Sequence, residues 1–154
     1  MAYWLMKSEP EDCSIDDLER LPKQTVPWTG VRGWQARNFM REDMRVGDGV
    51  LFYHSSCAVP GIYGLAEVAS EPYPDETQFD AKHKYYDEKS RREKPRWYLV
   101  DVKLVRKTRV LPLSQMRESP SIASMQVLRR GNRLSITPVT PEEWDAVLKL
   151  LEAE

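Results

Sequence analysis

Apolar residues occur along this chain in short runs separated by tight turns, a pattern that predicts strands. The runs lie at 2–8, 50–55, 61–69, 97–105 and 134–139. Residues 50–55 alternate two sets of side chains, as a strand with two faces does. The turn at 57–60 joins this run to the next one and predicts a hairpin. In the fourth run, every second residue from Tyr98 to Leu104 is expected on one face.

Helix signals are shorter and depend on capping residues. Ser14 precedes a pair of aspartates and predicts a helix that starts at residue 15 and continues to Leu21. Thr140-Pro141 followed by two glutamates predicts the start of a last helix, whose apolar stripe would pack on the domain. That stripe consists of Trp144, Val147, Leu148 and Leu151. Residues 114–128 carry weaker helix signals around a proline.

The order of these elements predicts an α+β domain. Strands and helices follow one another without the regular βαβ rhythm of a parallel sheet, so a small, mostly antiparallel sheet or barrel fits best. Prolines at 72 and 74 are expected to end regular structure. The length of 154 residues and the lack of a repeat or linker predict a single domain over 1–154.

The stretch 28–41 combines glycine, tryptophan, arginine and amide side chains within fourteen residues. Glycine permits close approach to a ligand, indole offers a flat face, and amides pair donors with acceptors. A short helix from Gln35 would place Gln35 and Asn38 one turn apart on one face. The stretch fits a planar ligand such as a nucleobase. The alternative is a turn anchored by Trp28 that leads into a core helix.

The most basic window spans 80–96 and contains two adjacent tyrosines. Basic residues interleaved with aromatic rings suit a surface that follows a nucleic-acid strand, whereas a solvated loop is the alternative. A second basic run follows at 129–133. The candidate phosphate-binding residues are Lys82, Lys84, Arg91, Arg92, Arg129 and Arg130.

Composition limits the function classes. A net charge of −1 excludes a general electrostatic attraction to nucleic acid, so any contact needs a local patch. Two cysteines without metal spacing favour a reducing compartment, and no apolar run reaches membrane-spanning length. A cytoplasmic protein that acts as a monomer, away from membranes, is expected.

No catalytic, metal-binding or nucleotide-cofactor signature occurs in the sequence. His54 and Cys57 are too close together on one hairpin to form a usable pair, and His54 is expected to be a hydrogen-bonded pocket or core residue. A binding protein without metal or cofactor is therefore predicted rather than an enzyme.

Several segments together resemble the EVE domain family, a branch of the PUA-like superfamily. They read YWLMKSEP at 3–10, WTGVR at 28–32, QARNFM at 35–40, GDGVLFYHS at 47–55, YPD at 73–75, PRW at 95–97 and LSITPV at 134–139. These matches cover most of the chain in the family's order. Gly33-Trp34 stands where the family usually has Asn-Tyr, and Ser56 where an Asn commonly follows.

The resemblance implies a small, mixed or antiparallel β-barrel flanked by short helices, with a pocket for one modified base. The related YTH domains bind methylated adenine in RNA, and EVE domains are associated with modified cytosine in DNA and with modified RNA bases. Carried over by position, the pocket residues are Lys7, Ser8, Trp28, Gly30, Val31, Arg32, Gln35, Asn38, Tyr53, His54 and Ser55.

Three functions follow from the sequence and this resemblance. The first is a reader that binds a flipped, modified base in DNA or RNA. The second is a hydrolase or other enzyme acting on a modified nucleobase or nucleoside, as ASCH-type relatives suggest, with Lys7 and either Glu9 or His54 as its acid–base pair. The third is a structural or protein-interaction domain.

Overall fold

A curved, six-stranded mixed sheet forms the centre of the computed structural model, which describes residues 1–152. The strands are β1 (Tyr3–Ser8), β2 (Thr25–Pro27), β3 (Gly49–His54), β4 (Gly61–Val68), β5 (Tyr73–Pro74), β6 (Tyr98–Leu99), β7 (Asp101–Pro112) and β8 (Ile136–Val139). The main sheet has the order β2-β7-β4-β3-β1-β8, and β5 pairs with β6. Only β1 and β3 run parallel among the pairs of the described residues. The predicted α+β class is confirmed.

Short helices cover the sheet. They are α1 (Pro10–Cys13), α2 (Ile15–Arg20), α3 (Trp34–Asn38), α4 (Leu113–Arg117) and α5 (Pro141–Glu152), together with a π turn at Phe39–Asp43 and 3₁₀ turns at Pro22–Gln24, Glu76–Phe79, Pro120–Ile122 and Gln126–Leu128. Within residues 1–152, no helix combines the length and apolar character that crossing a membrane requires.

The central strand β3 is buried along its whole length, because both faces of the sheet are covered. Val50 and Phe52 belong to an apolar core on one face, beneath α2 and α3. Leu51 and Tyr53 point the other way, into a second core under α4 and α5. The predicted alternation and the predicted antiparallel hairpin with β4 are confirmed.

Capping explains where the two best-predicted helices begin. At α2, Ser14 Oγ accepts the N–H of Asp17, and the Asp17 carboxylate accepts the N–H of Ser14. At α5, Thr140 and Glu143 exchange the same pair of hydrogen bonds. The indole of Trp144 stacks on Tyr3 at 4.4 Å, which anchors the last helix on β1 as the apolar stripe predicted.

The strand predicted at 97–105 is wrong in its bounds. The chain leaves the small sheet after Leu99, and β7 then continues to Pro112 because its polar half stays paired with β4. The prolines at 72 and 74 do not end all regular structure, since Tyr73–Pro74 pairs with β6. The short helix begins at Trp34 rather than Gln35.

The polar segment between β5 and β6 is held by Gln78, whose side chain is fully buried. Its amide nitrogen donates to the carbonyls of Asp75 and Trp97, at 2.7 and 2.8 Å. Its amide oxygen accepts the N–H of Trp97 and the hydroxyl of Ser90. A buried amide with partners on both sides fixes the ends of this segment to each other.

Candidate functional site

A cleft of about 620 Å³ opens where the ends of β1 and β3 meet the loop after β2. Helix α1 and the segment around Tyr85 complete its walls. The residues that line it are Lys7, Ser8, Glu9, Asp12, Cys13, Val26, Pro27, Trp28, Thr29, Gly30, Val31, Arg32, Ser55, Ser56, His83, Lys84, Tyr85, Arg133 and Ser135. Its volume and its mixed lining are typical of small-ligand pockets.

One wall of the cleft is fixed by the buried carboxylate of Asp75. Its Oδ2 accepts the backbone N–H of Gly30 at 2.8 Å and lies 3.2 Å from Nη1 of Arg32. Its Oδ1 accepts the N–H and the hydroxyl of Thr77, at 2.9 and 2.6 Å. Since all these donors converge on one buried group, Asp75 locks the loop after β2 to the segment after β5.

The guanidinium of Arg32 adds further hydrogen bonds between the loop after β2 and the segment after β5. Its Nε and Nη2 donate to the carbonyl of Tyr85, and Nη2 also donates to the hydroxyl of Thr77. Its Nη1 donates to Asp75 and to the carbonyl of Val31. All five donors of the guanidinium are therefore used within the protein. Arg32 lines the cleft as predicted but positions its wall, with no donor left for a base.

Gly30 and Tyr85 are in close contact in this wall. Gly30 has φ of +84°, in the left-handed region that favours glycine. A Cβ at this position would come within 3.0 Å of three ring carbons of Tyr85. The ring can therefore lie this close to the loop only because residue 30 has no side chain.

The segment around Tyr85 also contacts α1 across the cleft. Lys84 Nζ lies 2.8 Å from Asp12 Oδ1, and the hydroxyl of Tyr85 lies 3.5 Å from Asp12 Oδ2. Both side chains of the Lys84–Asp12 pair are exposed, so solvent screening leaves the pair weak. The ionic contact between this segment and α1 therefore contributes little to holding the two together.

Trp28 lines the cleft but belongs to the core. Its side chain is only 7% exposed, and its ring meets Phe52 edge-on at 5.6 Å. The indole N–H has no acceptor within residues 1–152, yet no buried side-chain nitrogen among them lacks a partner, so this N–H keeps some exposure on a residue that lines the cleft. Trp28 therefore packs in the core, as the alternative of a turn anchored by Trp28 expects, and it also lines the cleft.

The structure brings together many of the predicted pocket residues. Those that line the cleft are Lys7, Ser8, Trp28, Gly30, Val31, Arg32 and Ser55. The Lys7 side chain is half-buried, and its burial lowers the pKa of the ammonium group. The hydroxyl of Ser8 donates to the carbonyl of Cys13 at 2.6 Å, which ties the end of β1 to α1.

Four predicted pocket residues do not line the cleft. Gln35 is exposed on α3, and the side-chain Oδ1 of Asn38 accepts hydrogen bonds from both Nε and Nη2 of Arg37. The alternation of β3 turns Tyr53 into the opposite core. His54 is buried, stacks on Tyr63 at 3.7 Å, and accepts the N–H of Ile15 at 3.0 Å through Nε2. Burial lowers the pKa of His54, which keeps the imidazole neutral as an acceptor.

The candidate phosphate-binding residues are dispersed. Lys84 lines the cleft, and Arg92 pairs with the exposed carboxylate of Glu76. Lys82, Arg91, Arg129 and Arg130 are exposed and do not line it. From the run at 129–133, Arg133 is the residue that reaches the cleft.

Sequence reasoning missed several cleft residues, of which Tyr85, Asp12 and Cys13 are the main ones. Tyr85 lay in the basic window and could have been found by its aromatic character. Burial raises the pKa of the Cys13 thiol to about 11, so the thiol stays protonated and is a poor nucleophile. Within residues 1–152, no cluster of three or more His, Cys, Asp or Glu side chains could hold a metal ion.

Comparisons with known proteins agree with one another. The model of the EVE domain family matches residues 2–150. Thymocyte nuclear protein 1 of Gallus gallus is 45% identical, over 98% of this chain and 69% of its own length.

Solved structures show the same similarity. A Pseudomonas putida protein is 45% identical with a TM-score of 0.91, over 97% of this chain and 99% of its own. Human THYN1 protein, solved in complex with DNA that contains 5-methylcytosine, is 43% identical with a TM-score of 0.92, over 100% of this chain and 99% of its own.

A more distant likeness concerns the fold alone. An ASCH protein of Zymomonas mobilis, solved as a mutant protein, has a TM-score of 0.55 but only 11% identity, over 96% of this chain and 97% of its own.

Proposed function

The chain belongs to the EVE domain family, and from that premise we propose that it is a nucleic-acid reader that takes one modified base into the cleft beside Trp28. The first ligand to test is 5-methylcytosine in DNA, because the related human protein was solved with DNA containing that base. The base would enter flipped out of its strand, as a base recognised on its edge inside a pocket must.

The observation that supports this proposal most is the indole N–H of Trp28. It belongs to a buried ring held by Phe52, so its position is fixed before a ligand arrives. A preorganised donor in a partly apolar cleft suits the carbonyl or ring nitrogen of a base. The Tyr85 ring on the wall supplies an aromatic surface in the same cleft.

The other cleft residues have complementary roles in this proposal. Lys7 and Ser55 offer donors at the strand ends, and the hydroxyl oxygen of Ser8 can accept a hydrogen bond. Gly30 and Val31 supply backbone and apolar contact. Lys84 and Arg133 line the cleft and are exposed, so in this proposal they would contact the sugar–phosphate chain. The exposed Lys82, Arg91, Arg92, Arg129 and Arg130 would add contacts that depend on salt.

Catalysis has less support. Nε2 of His54 accepts the backbone N–H of Ile15, so His54 is not available as the acid–base partner of Lys7. The Cys13 thiol is protonated, and the ASCH likeness does not extend to sequence. The matched human relative is a DNA-bound protein, in agreement with the prediction of a binding domain rather than an enzyme.

An equilibrium binding panel tests the proposed function. Single-stranded DNA ten-mers would carry one central cytosine, 5-methylcytosine, adenine or N6-methyladenine, and RNA ten-mers would carry the same four bases. We expect at least tenfold tighter binding of one modified base over its unmodified parent. Equal affinity for all modified and unmodified strands would contradict the proposal.

Two further measurements distinguish DNA from RNA binding and binding from catalysis. A preference for DNA over RNA with the same base would identify the sugar that the protein selects, because only RNA offers the 2′-hydroxyl. Mass spectrometry of the strands after prolonged incubation would detect any chemical change of the base. A changed base would favour the enzyme instead.

A further inference from the structure

We propose that a second surface, formed by Trp34, Arg37 and Arg96, binds the nucleotides that flank the base in the cleft. This surface, called the Trp34 surface below, rests on the proposed function because it needs a nucleic-acid strand as its ligand. None of its residues lines the cleft. Its occupant would be a flexible single strand, held by stacking and by phosphate contacts.

The exposed indole of Trp34 is the first observation. Its side chain is 48% exposed, which is unusual for so large an apolar group on a short helix. The ring stacks on Trp97 at a centroid distance of 4.4 Å, with 23° between the planes. Trp97 itself is buried, and its indole N–H donates to the carboxylate of Asp87 at 2.7 Å. The exposed ring therefore rests on a fixed support.

Two guanidinium groups accompany this ring. Arg37 Cζ lies 4.6 Å and Arg96 Cζ 5.0 Å from the centroid of Trp34. Arg96 pairs with Asp87 at 3.1 Å, whereas Arg37 has no carboxylate within 4.0 Å among residues 1–152. Arg37 uses three of its five N–H groups, on Asn38 and on the carbonyl of Arg96. It thus carries a positive charge without a carboxylate at ion-pair distance, beside an aromatic ring, and two of its N–H groups have no partner among residues 1–152.

This combination favours a nucleic-acid strand over other ligands. A base can stack on an indole or on a guanidinium plane, and a phosphate can accept the free donors of Arg37. An apolar peptide would leave the charge of Arg37 without a partner. An acidic peptide would pair with that charge but would not need the flat ring of Trp34.

A series of ring and cation contacts connects this surface to the cleft. Arg32 Cζ lies 5.5 Å from the ring of Tyr85 on the cleft wall and 5.3 Å from the ring of Trp97. Trp34 follows at 4.4 Å on Trp97. Each contact is somewhat longer than the roughly 3.4 Å rise per nucleotide of a stacked strand. The surface therefore lies only a few nucleotides from a base held in the cleft.

The alternative is a structural role, in which Trp34 covers Trp97 and binds no ligand. It predicts that Trp34→Ala lowers the melting temperature and leaves the affinity for nucleic acid unchanged.

Three further variants complete the test. Trp34→Phe keeps a flat ring, and Arg37→Gln removes a charge without changing a core residue. Arg20→Gln makes the same charge change at an exposed position of α2, away from both surfaces.

The test measures the affinity of these variants for DNA ten-mers with a central cytosine or 5-methylcytosine, over a range of salt. We expect Trp34→Ala to weaken both strands about tenfold, and Trp34→Phe less than about threefold. Arg37→Gln should reduce the slope of log affinity against log salt by about 0.7, the loss of one phosphate contact. Arg20→Gln should change neither quantity, and the ratio between the two strands should stay constant throughout.

Two results would overturn the proposal in distinguishable ways. If the wild-type protein prefers the modified strand but Trp34→Ala and Arg37→Gln bind both strands as tightly as wild type, the Trp34 surface is not used. If the wild-type protein shows no preference for any modified strand of the panel described above, the proposed function itself fails. A lower melting temperature of Trp34→Ala with unchanged affinity would support the purely structural role of Trp34.

Discussion

The carboxylate of Asp75 accepts the backbone N–H of Gly30 at 2.8 Å, although the two residues are 45 positions apart in the chain. This contact joins the loop after β2 to the segment that presents Tyr85, and it therefore determines the width of the cleft. Asp75 is 1% exposed, so the bond is shielded from water.

Removing the charge of Asp75 should loosen the wall. In Asp75→Asn, an NH₂ group takes the place of one carboxylate oxygen. Because Gly30, Arg32 and Thr77 all donate to this carboxylate, at least one of these donors loses its acceptor. We expect a loss of about 1–3 kcal/mol in the free energy of unfolding, together with weaker binding of the modified strand. Chemical denaturation and binding titration measure the two effects. Asp80→Asn, the same change at an exposed position, should alter neither.

Gly30 and Gly33 form a matched pair for testing the close contact with Tyr85. Gly30→Ala should cost about 1–2 kcal/mol of stability from its left-handed backbone, and should lower affinity at least tenfold because the Tyr85 ring must move. Gly33→Ala has open space around the new methyl group and a φ of −89°, so both quantities should stay near wild type. Equal affinities of the two variants would show that this wall does not contact the ligand.

Trp28 should contribute to both stability and binding, and two substitutions separate the roles. Trp28→Ala leaves a cavity beside Phe52 and should cost about 3–5 kcal/mol of stability. Trp28→Phe keeps a packed ring but removes the N–H, so its affinity for the modified strand should fall about three- to tenfold while the fold persists. Melting curves and titrations on both variants distinguish the effects. A Trp28→Phe protein with full affinity would remove the indole N–H from recognition.

The stability of the fold should depend on pH through His54. Burial lowers its pKa in the folded protein below the ordinary value of 6.5, and Nε2 must stay unprotonated to accept the N–H of Ile15. The unfolded state therefore binds the proton first as the pH falls. Stability should be complete above about pH 7.5, decline below about pH 6.5, and level off under the folded pKa.

Denaturation curves between about pH 7.5 and 5.5 measure this dependence, above the range in which most carboxylates titrate. A His54→Gln variant should lose the decline over this interval. If the variant keeps the same decline as wild type, a different group is responsible.

Local features of the sequence predict most of the fold, because they act within a few residues. Ser14 with Asp17 and Thr140 with Glu143 each form a helix start within four positions. The strands β1, β3 and β4 follow from short apolar runs. The end of β7 was not predictable in this way, since residues 106–110 are mostly polar. The strand continues there because Arg106 and Lys107 pair with β4, and so do Leu111 and Pro112 beyond a shift in register.

The candidate site was predicted only in part, for reasons that depend on distant contacts. The motif at 28–32 identified one wall, but Asp75, which fixes that wall, acts across 45 positions. Tyr53 and His54 lie within two residues of Ser55 in sequence, yet Tyr53 packs in the core under α4 and α5, and His54 accepts the N–H of Ile15. The packing of Trp28 on Phe52 is a tertiary contact, which the local sequence does not specify.

The most direct test of the central claim is to follow the indole N–H resonances during titration with a DNA ten-mer that contains 5-methylcytosine. If the base enters the cleft, the Trp28 signal should shift, and it should shift less with the unmodified strand at equal concentration. The Trp4 signal is an internal control, because its N–H already donates to Asp48 at 3.1 Å in the core. A Trp28 signal that stays in place at saturation would contradict the account.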